Sequence, residues 1–163
     1  MKKRVLSLIC SLAILACLMT VSVTEVDASN DLKKVDGSYL TMDETSNGTT
    51  SDGLTKGKHM MDGECSITKA GKSRIYAYGS TTGNHTVDYI AVIVYVERYL
   101  PEKDAWGHVD AWIEECEDDY VAMTAKTLTV ENGYYYRVRA EHFAEKAPDP
   151  MEETFSVTDG IWI

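Results

Sequence analysis

The sequence predicts an all-β fold, an antiparallel β-sandwich of about seven strands. From Lys58 onward, short runs rich in Val, Ile, Thr and Tyr follow one another, with Gly, Pro, Asn or Asp between them. No run shows a sustained helical period with capping residues at its ends. This spacing of strands and turns is typical of a β-sandwich, and a small closed barrel is the alternative arrangement.

Residues 1–28 have the layout of a secretory signal peptide. Three cations precede a long apolar run, and residues 26–28 supply small or apolar side chains before a cleavage site at Ser29. A retained membrane anchor and a lipoprotein modified at Cys17 are the alternatives. We therefore expect a secreted, extracellular protein, with association to the cell envelope as a variant, and no membrane span after signal cleavage.

Residues 29–57 are rich in Ser, Thr, Asp and Gly and contain few large apolar side chains. Such a segment buries too little apolar surface to offset the entropy of ordering it. The composition predicts a flexible polar leader over 29–57, followed by a single β-sandwich domain over 58–163.

The predicted strands are separated by turn residues, among them Gly83-Asn84, Pro101, residues 117–119 and Asn132-Gly133. In the fourth strand, alternation places Val109, Ala111 and Ile113 toward the core. The predicted strands span 65–70, 74–82, 87–99, 108–115, 120–125 with 126–130, 134–144 and 153–158.

The net charge of the chain is −10, and removal of three cations and two anions with residues 1–28 changes it to −11. Such an acidic protein repels nucleic acid and anionic membrane surfaces. We therefore expect no nucleic-acid partner.

The segment 127–150 resembles the late half of a fibronectin type III or immunoglobulin-like domain, because a strand, a tight corner, a Tyr-x-Val-x-Ala strand and a Pro-containing hairpin follow one another. In such domains a tyrosine near the corner donates a hydrogen bond to upstream backbone. The resemblance implies this role for Tyr134 or Tyr136. The early strand departs from the pattern, since it lacks the buried tryptophan of immunoglobulin domains.

Five further segments together resemble an uncharacterised family, a domain of unknown function found in small secreted proteins of Gram-positive, clostridia-like bacteria. The resemblance implies secretion and carries no assigned activity. The segments are 42–50, 62–71, 84–99, 133–142 and 153–163.

The third and fourth predicted strands carry a row of aromatic side chains opposite the core row. Rigid aromatic rings on a flat sheet suit stacking on sugars or anchoring a protein partner. The alternative is a second layer that covers the face, formed by the leader, by the Tyr135 side of the penultimate strand, or by 160–163. The predicted binding residues are Tyr89, Tyr95, Tyr99, Trp106 and Trp112.

Two cysteines, Cys65 and Cys116, lie outside the predicted signal peptide. A pair of cysteines in an exported chain suggests a disulfide. Two separate thiols are the alternative.

No nucleophile elbow, zinc-binding helix motif or phosphate-binding glycine loop occurs in the sequence. We expect no enzymatic activity, no catalytic residue, no metal site and no cofactor. The chain is interpreted as a binding module for an unknown protein or glycan ligand. The alternatives are a secreted effector or bacteriocin-like protein that acts on neighbouring cells, and a small envelope-associated structural protein.

Overall fold

The computed structural model describes residues 32–50 and 57–163, and the predicted signal peptide therefore lies outside the described residues. The prediction of an all-β protein is confirmed. The strands are β1 (Lys34–Val35), β2 (Ser38–Thr41), β3 (Thr45–Thr49), β4 (Met60–Lys69), β5 (Arg74–Leu100), β6 (Ala105–Thr129), β7 (Tyr135–Glu145), β8 (Glu152–Val157) and β9 (Gly160–Trp162).

The strands form one mixed sheet in the order β1-β2-β9-β7-β5-β4-β3, with β6 paired to β5 and β8 paired to β7. All neighbours are antiparallel except β2 and β9, which run parallel. The two longest strands, β5 and β6, form a hairpin, and the other strands join the sheet through β4 and β7, which both pair with β5.

The β5–β6 hairpin bends back over itself, so that the two halves of β5 belong to opposite layers. The ladder is interrupted between Thr82 and Val87, and a Cβ atom on Gly79 would lie 2.6 Å from Val94 Cγ2. Only glycine lets the first half of β5 approach the second half so closely. The core between the layers is lined by the even-numbered residues of the second half of β5, Ile90, Val92, Val94 and Val96.

Two predicted turns are bends within continuous strands. The predicted break at Gly83-Asn84 lies inside β5, and the predicted break at residues 117–119 lies inside β6, where Asp118 has a φ of 52°. Val87 pairs with Asp119, so both signals mark the same fold in the hairpin. Turn residues permitted a bend there, whereas cross-strand pairing kept the chain extended.

The prediction of a flexible leader over 29–57 is wrong for its described part. Residues 34–49 contribute β1, β2 and β3, and β3 pairs with β4 along five residues. Few of their side chains are large, but their backbone groups extend the existing sheet and satisfy its edges. No helix with the length and apolar character of a membrane span occurs within 32–50 and 57–163.

The corner before β7 contains the hydrogen bond expected of a tyrosine there. The hydroxyl of Tyr136 donates to the backbone carbonyl of Glu131 at 2.9 Å. The Tyr136 side chain is buried, and the bond satisfies its hydroxyl.

Candidate binding face

The outer face of the sheet is the surface opposite the core, and the odd-numbered residues of β5 form its centre. Tyr89, Ala91, Ile93 and Tyr95 lie between the outward residues of β6 on one side and those of β7 on the other. Across the four strands β6, β5, β7 and β8, the strand register assembles rows such as Ile113, Ile93, Glu141 and Phe155.

A bulge in β6 places the two tryptophans of that strand on opposite faces. Val96 pairs with Asp110 whereas Glu97 pairs with His108, so that one residue of β6 is left unpaired. An extra residue reverses the alternation beyond it.

As a consequence, Trp106 lies opposite Tyr99 on the outer face, while Trp112 lies opposite Val94 and packs against the core. The Trp112 indole donates to Thr124 Oγ1 at 3.2 Å. The predicted inward position of Ile113 is therefore wrong, because this side chain is 45% exposed on the outer face. The register shift between β6 and β5 decides these positions. The alternation of apolar and polar residues along β6 does not show that shift.

One end of the outer face is covered by β1 and β2. Tyr99 is only 6% exposed and packs with Val35 and Leu40, and the Trp106 indole donates to the carbonyl of Val35 at 2.9 Å. The predicted alternative of a covering layer thus holds for this end. Tyr99 and Trp106 are structural here, since their surfaces are occupied by the chain itself.

Arg137 lies under the turn between β1 and β2 and is almost fully buried. Its guanidinium pairs with Glu97 at 2.7 Å and with Asp36 at 2.8 Å, and it stacks 4.5 Å from the ring centre of Trp106. A buried guanidinium needs such partners, because an unpaired buried charge is costly. Arg137 therefore attaches the N-terminal strands to the sheet.

The other end of the outer face is open. It contains a groove of about 400 Å³, and the exposed side chains of Met151 and Phe155 (46% and 54%) continue the apolar surface around it. We refer to this depression as the open groove. Its lining consists of Tyr89, Ile93, Ile113, Phe143, Glu145 and Met151.

Sequence reasoning identified Tyr89 but missed Phe143 and Met151. Phe143 belongs to the outward row of β7, and most residues of that row are charged. The row was therefore not predicted to contribute an apolar side chain to the face. Met151 precedes β8 in a segment without strand alternation, and only the folded chain brings it beside β5.

The two tyrosine hydroxyls beside the groove are held by carboxylates. Tyr89 donates to Glu115 at 2.7 Å and Tyr95 donates to Glu141 at 3.0 Å. Burial, together with the bond to Glu115, raises the pKa of Tyr89 to about 12. Both rings are consequently fixed with their hydroxyls neutral and donating.

Cys65 and Cys116 are both free thiols in the structure. The Cys65 thiol contacts the carbonyl of Val138, which pairs with Val96, whereas Cys116 pairs with Ile90. Val96 and Ile90 are six residues apart in β5, which is about 20 Å of extended chain. A disulfide needs Cα atoms within about 7 Å, so Cys65 and Cys116 are too far apart to form one. Burial raises the pKa of Cys65 to about 11, which makes it a poor nucleophile.

A second cluster of titratable groups lies where β4 begins. His59 contacts His85 through Nδ1 at 3.1 Å and Asp149 through Nε2 at 3.0 Å, and Glu152 accepts bonds from the backbone of Met60. These contacts connect β4 to the bend of β5 and to the segment before β8. In the part of the chain that the structure describes, no three His, Cys, Asp or Glu side chains are arranged to hold a metal ion.

Comparison with known proteins gives one family. Neither the curated proteins nor the solved structures include a match to this chain. The model of a family of unknown function, DUF6147, matches residues 28–158 and thus spans the whole sheet except for the C-terminal strand β9. The chain therefore belongs to the DUF6147 family.

Proposed function

We propose that this protein is secreted and acts as a non-enzymatic binding protein that takes its partner into the open groove. The observation that carries the proposal is the apolar surface at the centre of a four-stranded face, where Ile113 and Met151 remain nearly half exposed. Contiguous exposed apolar surface in a soluble domain usually marks an interaction site. The signal peptide predicted over residues 1–28 supports the extracellular location.

The chemistry of the open groove favours a polypeptide over a glycan. Three of the five aromatic residues suited to stacking on sugars are unavailable, because Tyr99 and Trp106 are covered and Trp112 faces the core. Of the six residues that line the open groove, three are aliphatic or thioether side chains, Ile93, Ile113 and Met151, and they lie beside the rings of Tyr89 and Phe143. Such adaptable apolar side chains suit protein contacts better than sugar stacking.

The test compares a groove variant and a control variant in selections from a peptide library and on a glycan array. Ile113→Ala with Phe143→Ala removes two of the side chains that line the open groove, and Met123→Ala removes an exposed apolar side chain from the other half of β6. Circular dichroism and thermal melting establish that both variants remain folded.

We expect peptides selected on the wild-type protein to bind the Met123→Ala variant unchanged and to lose about tenfold or more on the groove variant. Equal binding to the groove variant, or a library that yields no binder to the wild-type protein, would overturn the proposal. Glycan binding that depends on the groove would keep the site and replace a polypeptide with a sugar as the partner.

A further inference from the structure

The open groove is bordered by carboxylates that form no ion pair with a Lys or Arg of the described residues. Glu117 and Glu145 flank Tyr89 on its two sides, and in the next row Glu115 and Glu153 lie at the two ends. Within 32–50 and 57–163, no Lys or Arg forms an ion pair with any of these four carboxylates. The apolar centre therefore has an acidic border on both sides.

In the four rows of Tyr89, Ala91, Ile93 and Tyr95, the one cation is already neutralised. Arg139 pairs with Glu141 at 2.8 Å and stacks 4.8 Å from the ring centre of Tyr95. These four rows thus hold five glutamates and one arginine, a net charge of −4. Low-dielectric walls beside the groove strengthen the field of these charges on an approaching ligand.

We infer that the open groove binds a cationic, amphipathic polypeptide segment whose apolar side chains enter the groove while Lys or Arg residues meet the glutamates on either side. This inference rests on the proposed function and adds the chemistry of the partner. Charge complementarity of this kind sets specificity and speeds association.

The same charges disfavour other occupants. Anionic lipid surfaces and nucleic acid would bring phosphates against the glutamates. A second copy related by a two-fold axis would place two faces of net charge −4 against each other. A polypeptide with cations on either side of an apolar centre satisfies both parts of the surface.

The register of the strands gives the spacing that the partner must match. Glu117 and Glu145 are two strand spacings apart, about 10 Å, and Glu115 and Glu153 are three apart, about 14 Å. Two cationic side chains about 10–14 Å apart, with apolar residues between them, fit these rows.

The experiment measures binding of three labelled synthetic peptides by fluorescence anisotropy. They share one pattern of Leu residues, and the intervening positions are all Lys, all Ser or all Glu. Each peptide is titrated with the purified wild-type protein at low and at high salt, since exposed ion pairs weaken as the Debye length shrinks. Anionic vesicles are added in a separate titration.

Two fourfold neutralised variants share the same change of net charge. The face variant is E115Q/E117Q/E145Q/E153Q. The control variant, D43N/E44Q/E64Q/E102Q, neutralises exposed acids outside the four rows. The groove variant I113A/F143A completes the set.

We expect the Lys peptide to bind wild type about tenfold or more tighter than the Ser peptide, and the Glu peptide not to bind. The face variant should lose this preference, and the control variant should keep it. If the Lys and Ser peptides bind equally and both need the groove, the cationic partner is wrong while the binding groove stands. If the Lys peptide binds the groove variant like wild type, or weakens equally in both neutralised variants, its binding is non-specific and overturns the inference. Tighter binding to anionic vesicles than to the Lys peptide would overturn it as well.

Discussion

At the scale of single residues, His142 shows how the core accommodates a polar ring. Thr81 Oγ1 donates to the carbonyl of Ala91 at 2.7 Å, so its one hydroxyl proton is used, and it can only accept from His142 Nδ1 at 2.9 Å. Nε2 of the same ring therefore accepts from the Ser156 hydroxyl at 2.8 Å. The surroundings thus specify a neutral imidazole that is protonated on Nδ1.

This environment predicts that the protein loses stability below neutral pH. Burial lowers the pKa of His142 to about 4, although Asp62 and Glu141 oppose the shift. Because the folded pKa lies below the ordinary value of about 6.5, the neutral ring stabilises the fold fully above pH 6.5 and progressively less as the pH falls toward 4. We expect the free energy of unfolding in urea to fall by about 2 kcal/mol from His142 alone between pH 7 and pH 5.

The control for this prediction is His142→Asn, which keeps a donor near Thr81 and cannot titrate. Its unfolding free energy should be lower at pH 7 but should change less between pH 7 and pH 5. An identical pH dependence in the variant and the wild type would show that other groups are responsible.

At the scale of elements, the β5–β6 hairpin decides the architecture because each of its strands serves both layers. Pairing runs from Arg74 to Thr82 on one side of the bend and from Val87 to Leu100 on the other, where the bulge at Val96/Glu97 interrupts it once. The two halves meet face to face at Gly79, where a side chain would overlap Val94. A substitution of Gly79 should therefore disturb the contact between the layers and leave the pairing of the strands intact.

We expect Gly79→Ala to destabilise the protein by about 1–3 kcal/mol, because the added methyl group has no space beside Val94. Val94→Ala alone should also destabilise, since it leaves a cavity. In the double variant the new methyl group enters the vacated space, so the two effects should couple by about 1 kcal/mol or more in urea unfolding. Strictly additive effects would contradict the close approach of the two layers.

The same strands show which features of the fold could be predicted from sequence patterns. Runs of Val, Ile and Tyr located every strand after Lys58 except β9. They did not show that neighbouring runs join into single strands of 27 and 25 residues, because turn residues also occur at bends inside strands. Of the candidate site, Tyr89 and Tyr95 were identified correctly as outward residues, but a single unpaired residue in β6 reversed the prediction for Trp112.

At the scale of the whole molecule, the N-terminal strands complete the sheet from a distance. Asp36 and Ser38 meet Arg137, about a hundred residues later in the chain, and Leu40 pairs with Gly160. Asp36 and Gly37 both adopt positive φ angles, so the turn between β1 and β2 is shaped to approach the guanidinium. The segment that contains β1 and β2 can be polar in composition, because it stabilises the domain largely through hydrogen bonds.

Removal of β1 and β2 should therefore destabilise the whole domain. A chain that begins at Asp43 exposes Tyr99 and leaves Arg137 without Asp36. We expect its free energy of unfolding to be about 3 kcal/mol or more below that of a chain that begins at Leu32. Urea unfolding of the two chains measures the difference, and equal stabilities would mean that residues 32–42 are a dispensable leader after all.

The sequence by itself determined the all-β class, the order of the strands after Lys58 and the outward row of β5, because alternation and turn residues are local properties of the chain. The tertiary structure alone decided which aromatic residues are covered, which face Trp112 occupies and where the open groove lies. These depend on strand register and on contacts between distant segments, such as Val35 with Trp106, and no local pattern carries that information.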